Sequence, residues 1–199
     1  MKTVMYLVRH GQTDWNVSGR VQGQNKVCLN GVGKQQAAEV AQLFKRVHLD
    51  VVYSSPVLRA MQTAQVIANK VVPAPEFRER EIGELAGLVK EEILAKFPTI
   101  RRDQDKKGID WTPPGSGETL REFQKRCIKG FQDLVQKNQG KKVLVVSHGG
   151  VIKSIVHWLH GGKPEEFLHI QNPENAEVVR IETDGKEFGI PLKVSTVKK

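Results

Sequence analysis

Short apolar runs alternate along the chain with longer segments in which apolar residues recur every three or four positions. That is the pattern of strands feeding helices. Residues 2–8 are mostly apolar with little alternation, which predicts a strand buried on both faces of a parallel sheet. Residues 12–30 carry Gly, Asn and Gln without a period and read as a loop. From Gly31, the recurrence of Val32, Ala37, Val40, Ala41, Phe44 and Val47 predicts a helix with one apolar face. A strand over Asp50–Tyr53 follows. Pro56 then suits the first turn of a helix reaching about Val71, with Leu58, Met61, Ala64, Ile67 and Ala68 inward and Arg59 in the opening turn.

Glu76 to Gly87 is charged, punctuated by glycine and without a clean period, so it is loop-like. A short helix over Lys90–Phe97 stops at Pro98, and Arg101 to Gly108 reads as an exposed, mobile connector. Its basic residues could instead reach over a site to a second anionic group. Leu120, Phe123, Cys127, Phe131, Leu134 and Val135 predict a strong helix that stops near Asn138-Gln139-Gly140. A strand over 142–147 leads into a helix marked by Val151, Ile152, Ile155, Val156 and Leu159 and ended by Gly161-Gly162. Ala176–Ile181 predicts a strand, Asp184-Gly185 a hairpin turn, and Lys193–Val197 a last strand. Strands alternating with helices predict an α/β fold with helices on both faces of a mostly parallel sheet, and 199 residues without a composition shift predict one domain over 1–199.

Composition narrows the function classes. At 39% hydrophobic and 27% charged residues the chain is that of a soluble globular protein, with no apolar run near the ~18 residues that span a bilayer. The start of the chain has no signal-peptide pattern, so a cytoplasmic protein with no membrane partner is expected. Cys28 and Cys127 form no Cys-x-x-Cys pair, and no metal site or cofactor is predicted. A cysteine phosphatase would need an arginine six residues after its cysteine, where Lys34 and Asp133 stand instead. The Gly33-Lys34 pair has Cys28 and Gln35 in the places where a P-loop needs Gly and Ser or Thr. The net charge of +9 favours anionic partners, yet the lysines and arginines are scattered and aromatic residues make up only 6%. Nucleic acid is therefore not the expected partner, and a small phosphorylated molecule is. Oligomeric state is not encoded in any pattern.

Three of the predicted strands hand over to polar or basic residues at their C-terminal ends: Arg9-His10, Ser54-Ser55-Pro56 leading to Arg59, and Ser147-His148-Gly149-Gly150. Open α/β sheets bind ligands at that edge. The set Arg9-His10-Gly11, Asn16, Gly19-Arg20-Val21-Gln22-Gly23, Ser54 to Ala60, Glu79, Pro114 to Thr119 and Ser147 to Gly150 resembles the histidine phosphatase superfamily, in that family's order and across almost the whole chain. The resemblance implies the phosphoglycerate mutase-like fold. It also implies a phosphate pocket of Arg9, His10, Arg59 and His148 with His10 as nucleophile, Asn16 as a phosphate contact, and Gln22, Gly23 and Gly149 lining the same region.

The chemistry of these residue types fits. Arginine forks match phosphate oxygens bidentately, and a histidine whose second ring nitrogen donates to a carbonyl keeps a lone pair for attack. His148 begins a Gly-rich helix entry, where free N–H groups favour an anion. A departing alkoxide needs a proton from a carboxylic acid kept neutral, for which Glu79, Glu81 and Glu84 are candidates; the resemblance selects Glu79. His48, His157, His160 and His169 match no motif. The short segment after the acid and the Gly149-Gly150 pair resemble the family's phosphatases. A phosphomonoesterase is thus expected, with phosphoglycerate mutase as the alternative and a non-catalytic phosphate-binding or interaction module as a further one.

Overall fold

A computed structural model describes residues 2–185 and 187–195. The first apolar run becomes β1 (Thr3–Arg9), followed by a one-turn helix α1 (Asp14–Val17), α2 (Gly31–Phe44), β2 (Val51–Ser54), α3 (Leu58–Ile67) and β3 (Val72–Pro73). Then come α4 (Lys90–Lys96), α5 (Ile100–Lys107), α6 (Leu120–Lys137), β4 (Lys142–Ser147), α7 (Gly149–Leu159), β5 (Val178–Thr183) and β6 (Leu192–Ser195). One six-stranded mixed sheet runs in the order β3-β2-β4-β1-β5-β6. Its β1–β4, β2–β4 and β2–β3 pairings are parallel, while β5 lies antiparallel to β1 and to β6.

The alternation along β1 explains why both faces need helices. Met5 and Leu7 join a core with Phe123, Cys127 and Phe131 of α6 and Val151, Ile152 and Ile155 of α7. Val4, Tyr6 and Val8 join a second core with Val40 and Phe44 of α2 and Ala60 and Ala64 of α3. In β4, Val143 and Val145 face the first core, and Leu144 and Val146 the second. Buried on both faces, such strands read as continuous apolar runs. Each buried side chain of this size stabilises the fold by about 1.5–3 kcal/mol. A smaller cluster of Ile82, Leu85, Ile100 and Trp111 holds the segment between β3 and α6 beside the C-terminal edge of the sheet.

Several local expectations change. Helix α3 ends at Ile67 rather than Val71, and Leu58 is exposed, while Arg59, Ala60, Thr63 and Ala64 are buried. The helix is turned so that a charged side chain, which periodicity counts as outward, points into the ligand end of the sheet. On α2, Val32 is exposed and Gly33 takes the inward place. A Cβ on Gly33 would collide with the Gln12 backbone and one on Gly11 with the Gly33 carbonyl, so this close approach needs glycine on both sides. The charged stretch Arg101–Lys107 is helical, as part of α5, and only Ile100 of that helix is buried. Its charges hid it from an argument based on an apolar period.

Strand β5 begins at Val178, not Ala176, because Ala176 adopts φ +60 and donates to the carbonyls of Arg9 and His10. The connection around Asp184-Gly185 is longer than a two-residue turn, and β6 spans Leu192–Ser195; Val197 lies outside the described residues. Strand β3, two residues at the sheet edge, carried no apolar run to reveal it.

Candidate active site

The parallel register brings the strand ends together. Arg9 pairs with Ser147 and Ser54 with Val146, and the chain continues the ladder through His10 N–H to Ser147 O at 2.9 Å and Ser55 N–H to Val146 O at 2.9 Å. His10 and His148 therefore emerge side by side, with ring centroids 5.3 Å apart.

His10 is almost fully buried, and its Nδ1 lies 2.7 Å from the Gly11 carbonyl. A carbonyl only accepts, so Nδ1 carries the proton and Nε2 the lone pair. The Arg59 Nε–H donates to that Nε2 at 3.1 Å. Burial, reinforced by the charges of Arg59 and Arg9, holds the His10 imidazole well below the usual histidine range despite the opposing Gly11 bond, so it is neutral at physiological pH. Arg59 is 1% exposed and is fixed by Nη2–H to Gly23 O at 2.8 Å and Nη1–H to Asn25 O at 3.2 Å. Burial lowers its pKa to about 10, with Glu79 opposing and Arg9 assisting, which leaves it charged at neutral pH. The Thr63 hydroxyl accepts from Gly11 N–H and donates to Arg59 O, tying α3 to the His10 turn.

Arg9 donates through Nη1 to Pro173 O at 2.6 Å, while its buried Nε has no partner among the described residues. Burial lowers its pKa, against the pull of Glu79 and Glu177. His148 is fully enclosed, so it backs the site rather than lining the open cleft. Its Nε2 is 2.8 Å from Ser55 Oγ, and its buried Nδ1 has no partner. Burial first, then Arg59, His10, Arg9 and Arg126, keep this imidazole neutral as well. Buried polar atoms without partners are rare in folded proteins, and here two of them, Arg9 Nε and His148 Nδ1, belong to residues beside His10.

A cleft of about 290 Å³ opens over His10, lined by Arg9, Asn16, Gln22, Gly23, Arg59, Glu79 and Gly149 among others. The predicted site residues thus converge, with His148 directly behind them. Asn16 Oδ1 accepts from Thr13 N–H, Thr13 Oγ–H and Asn175 Nδ2, which leaves the Asn16 amide NH₂ for a ligand. Glu79 accepts from Arg80 N–H at 2.9 Å and from Gly150 N–H at 3.2 Å, the latter in the first turn of α7. A Cβ on Gly150 would stand 2.5 Å from Glu79 Oε1, so the carboxyl approaches the helix only because residue 150 has no side chain. Of the other acid candidates, Glu81 is turned onto the Ile82 and Gly83 N–H groups and Glu84 pairs with Lys96; neither lines the cleft.

Five cleft residues are cations, Arg9, Arg20, Arg59, Arg80 and Lys153, against one carboxylate, Glu79, so the ligand that fits is an anion. No residue of Arg101–Lys107 lines it. Sequence reasoning missed Lys153, Asn172 and Phe167 in the wall. For Lys153 a signal existed: it lies one helical turn beyond Gly149, on the same side of α7. Among the described residues no group of three His, Cys, Asp or Glu could hold a metal ion, and no helix is long and apolar enough to cross a membrane.

Residues 5–195 match the model of the histidine phosphatase superfamily, branch 1. The chain is 38% identical over 159 residues to a metal-independent phosphoserine phosphatase of Arabidopsis thaliana, covering 77% of this chain and 67% of that protein. It is 39% identical over 155 residues to phosphoglycerate mutase-like protein 4 of the same plant, covering 75% and 67%. Among solved structures, a phosphoserine phosphatase from Entamoeba histolytica in complex with 3-phosphoglyceric acid superposes with a TM-score of 0.80 at 30% identity, over 97% of this chain and 95% of that one.

Proposed function

Because the chain belongs to the histidine phosphatase superfamily, branch 1, we propose that it hydrolyses a small phosphorylated metabolite through a phosphohistidine at His10. The observation that carries this reading is that one neutral histidine lone pair meets the Arg59 Nε–H at 3.1 Å, beside two residues with a buried polar atom left unpartnered, Arg9 and His148. A phosphoryl group would satisfy all of them together. As its oxygens take over the Arg59 Nε–H, the His10 Nε2 lone pair is freed and attacks phosphorus. The P–O bond to the leaving group breaks, and Glu79 gives its proton to the departing oxygen. Arg9, Arg59, Asn16 and His148 Nδ1–H disperse the charge on the equatorial oxygens, with Gln22, Gly23 and Gly149 completing the pocket. Water then attacks the phosphohistidine, Glu79 takes the water proton, the P–N bond breaks, and inorganic phosphate leaves with His10 restored.

The arginines supply the positive charge that a metal ion would bring, so the reaction runs without one. The chain acts in the cytoplasm as one domain. A screen of phosphorylated metabolites for released phosphate, run in EDTA beside a mutase assay with and without 2,3-bisphosphoglycerate, tests the reading. Phosphate release in EDTA is the expected result. Phosphoryl transfer between positions of phosphoglycerate without net release, or a requirement for a divalent ion, would overturn it.

A further inference from the structure

Glu79 stands in an irregular link between two single 3-10 turns, Pro75–Phe77 and Gly83–Leu85. Backbone carbonyls outside helices and sheets must find partners elsewhere. Here side chains supply them almost one after another. Ser147 Oγ–H donates to Phe77 O at 2.8 Å, Gln24 Nε2 to Glu79 O at 3.1 Å, and Arg126 Nη1 both to Glu76 O at 2.7 Å and to Arg78 O at 3.1 Å.

Arg126, in the second turn of α6, also grips the Glu118 carboxylate side-on, Nε to Oε1 at 2.9 Å and Nη2 to Oε2 at 2.8 Å. Glu118 in turn holds the far side of the acid: its N–H donates to Glu81 O at 2.8 Å and its carbonyl accepts from Arg80 Nε at 2.8 Å. One ion pair therefore brackets Glu79, fixing residues 76 and 78 before it and residues 80 and 81 after it. Neither Arg126 nor Glu118 lines the cleft. A planar fork with five donors can reach a carboxylate and two carbonyls at once, which a lysine point charge cannot.

The same arginine supports the acid from a second direction. Its guanidinium lies 5.3 Å over the Phe123 ring, and that ring stands 3.2 Å from where a Cβ on Gly150 would be, the residue whose N–H holds the Glu79 carboxyl. A general acid must stand within hydrogen-bond reach of the departing oxygen, and a misplacement of about 1 Å can cost about 10²-fold. Resting on the phosphatase reading with Glu79 as its acid, we propose that Arg126 and Glu118 are positioning residues, an ion-pair clamp that sets where Glu79 stands over the leaving group without touching the substrate.

The test compares kcat/KM for p-nitrophenyl phosphate and for the alkyl phosphate that the wild-type enzyme turns over best. Arg126→Met should lower the alkyl value by about 10- to 100-fold, while the aryl ester, whose leaving group departs unprotonated, should lose less than about threefold. Arg126→Lys should recover only part of the loss. Glu118→Gln, which keeps the shape and one acceptor, should show the same selectivity at about tenfold and covers the case in which Arg126→Met does not fold. Added to Glu79→Gln, it should change the alkyl value by less than about twofold, because the clamp acts through the acid. An equal loss on both esters in Glu118→Gln, no loss on the alkyl ester, or a full alkyl loss on top of Glu79→Gln would overturn the assignment. In that event, turnover of p-nitrophenyl phosphate through a labelled His10 would leave the phosphatase reading standing.

Discussion

The floor of the cleft and the segment flanking it are held by different means. At the floor, His10, Arg59 and His148 are nearly or fully enclosed, sit at the ends of paired strands or in the first turn of a buried helix, and are each fixed by hydrogen bonds. The flanking segment, from Arg80 to Glu118, is short helices and turns around a small cluster of Ile82, Leu85, Ile100 and Trp111, with Ile109 reaching into the main core. It is tied to the rest of the molecule by bonds such as Val21 N–H to Leu88 O at 3.0 Å, Gly87 N–H to Val21 O at 2.8 Å and the Arg126–Glu118 ion pair. Preorganised donors lower a barrier because they need no rearrangement when charge develops, so the chemistry belongs on the sheet edge. A thinly packed wall suits the part of a site that must admit one leaving group and refuse another.

Arg59→Lys probes the floor most severely. It keeps a positive charge but removes the fork that reaches His10, Gly23 and Asn25, and kcat/KM should fall by about 10³-fold in steady-state assays while the fold is kept. A fall of less than about tenfold would mean that charge alone suffices and that geometry at the floor is not what matters. Glu79→Gln acts at the boundary of the two regions. Turnover of alkyl phosphates should drop about 10²-fold, whereas a phenol-type leaving group, which departs easily unprotonated, should suffer much less. If both substrates fall alike, Glu79 is a structural contact of Gly150 rather than the acid. If Glu81→Gln or Glu84→Gln shows the leaving-group pattern instead, the acid lies on that neighbour.

Stability should carry the mark of the floor too. His10 and His148 are held neutral by burial, so below about pH 6.5 the unfolded chain takes up protons that the folded chain refuses. The unfolded state then binds more protons, and stability must fall as pH drops from about 6.5 toward the folded values, by about 1.4 kcal/mol per pH unit for each histidine. Denaturant titrations at pH 7.5 and 5.5 measure this, and a His10→Ala variant should show a shallower slope; an unchanged slope would place the loss on other groups. The smallest effect contrasts the regions directly. Backbone amides of Arg80 to Trp111 should exchange with solvent faster than those of β1 and β4, since few buried contacts oppose their local opening. Equal protection would make the cleft uniformly rigid.

The two regions also differed in how far they could be read from sequence. Strands β1 and β4 were legible because burial on both faces forces unbroken apolar runs, and Arg9, His10 and His148 were legible because they follow those runs directly. Arg59 was found by motif, although its inward direction contradicts the apolar count on α3, where Leu58 rather than Arg59 is exposed. Helix α5 was hidden because a solvated helix with one anchor, Ile100, leaves no period. Gly33 replaced Val32 at the inward position for a reason only the approach of Gln12 reveals. Lys153 carries one faint sequence signal, its place one turn beyond Gly149, but among 31 lysines and arginines what sets it apart is the company of Phe167 and Ile170 from a distant turn.

The central claim is that His10 Nε2 becomes covalently phosphorylated, and rapid quenching of the enzyme with phosphoryl-labelled substrate tests it most directly. The label should appear on the peptide carrying His10 as a phosphoramidate, stable in alkali and lost in acid, and should be absent from His10→Ala together with turnover. Full turnover by His10→Ala, or label held by any other residue in an acid-stable bond, would contradict the account.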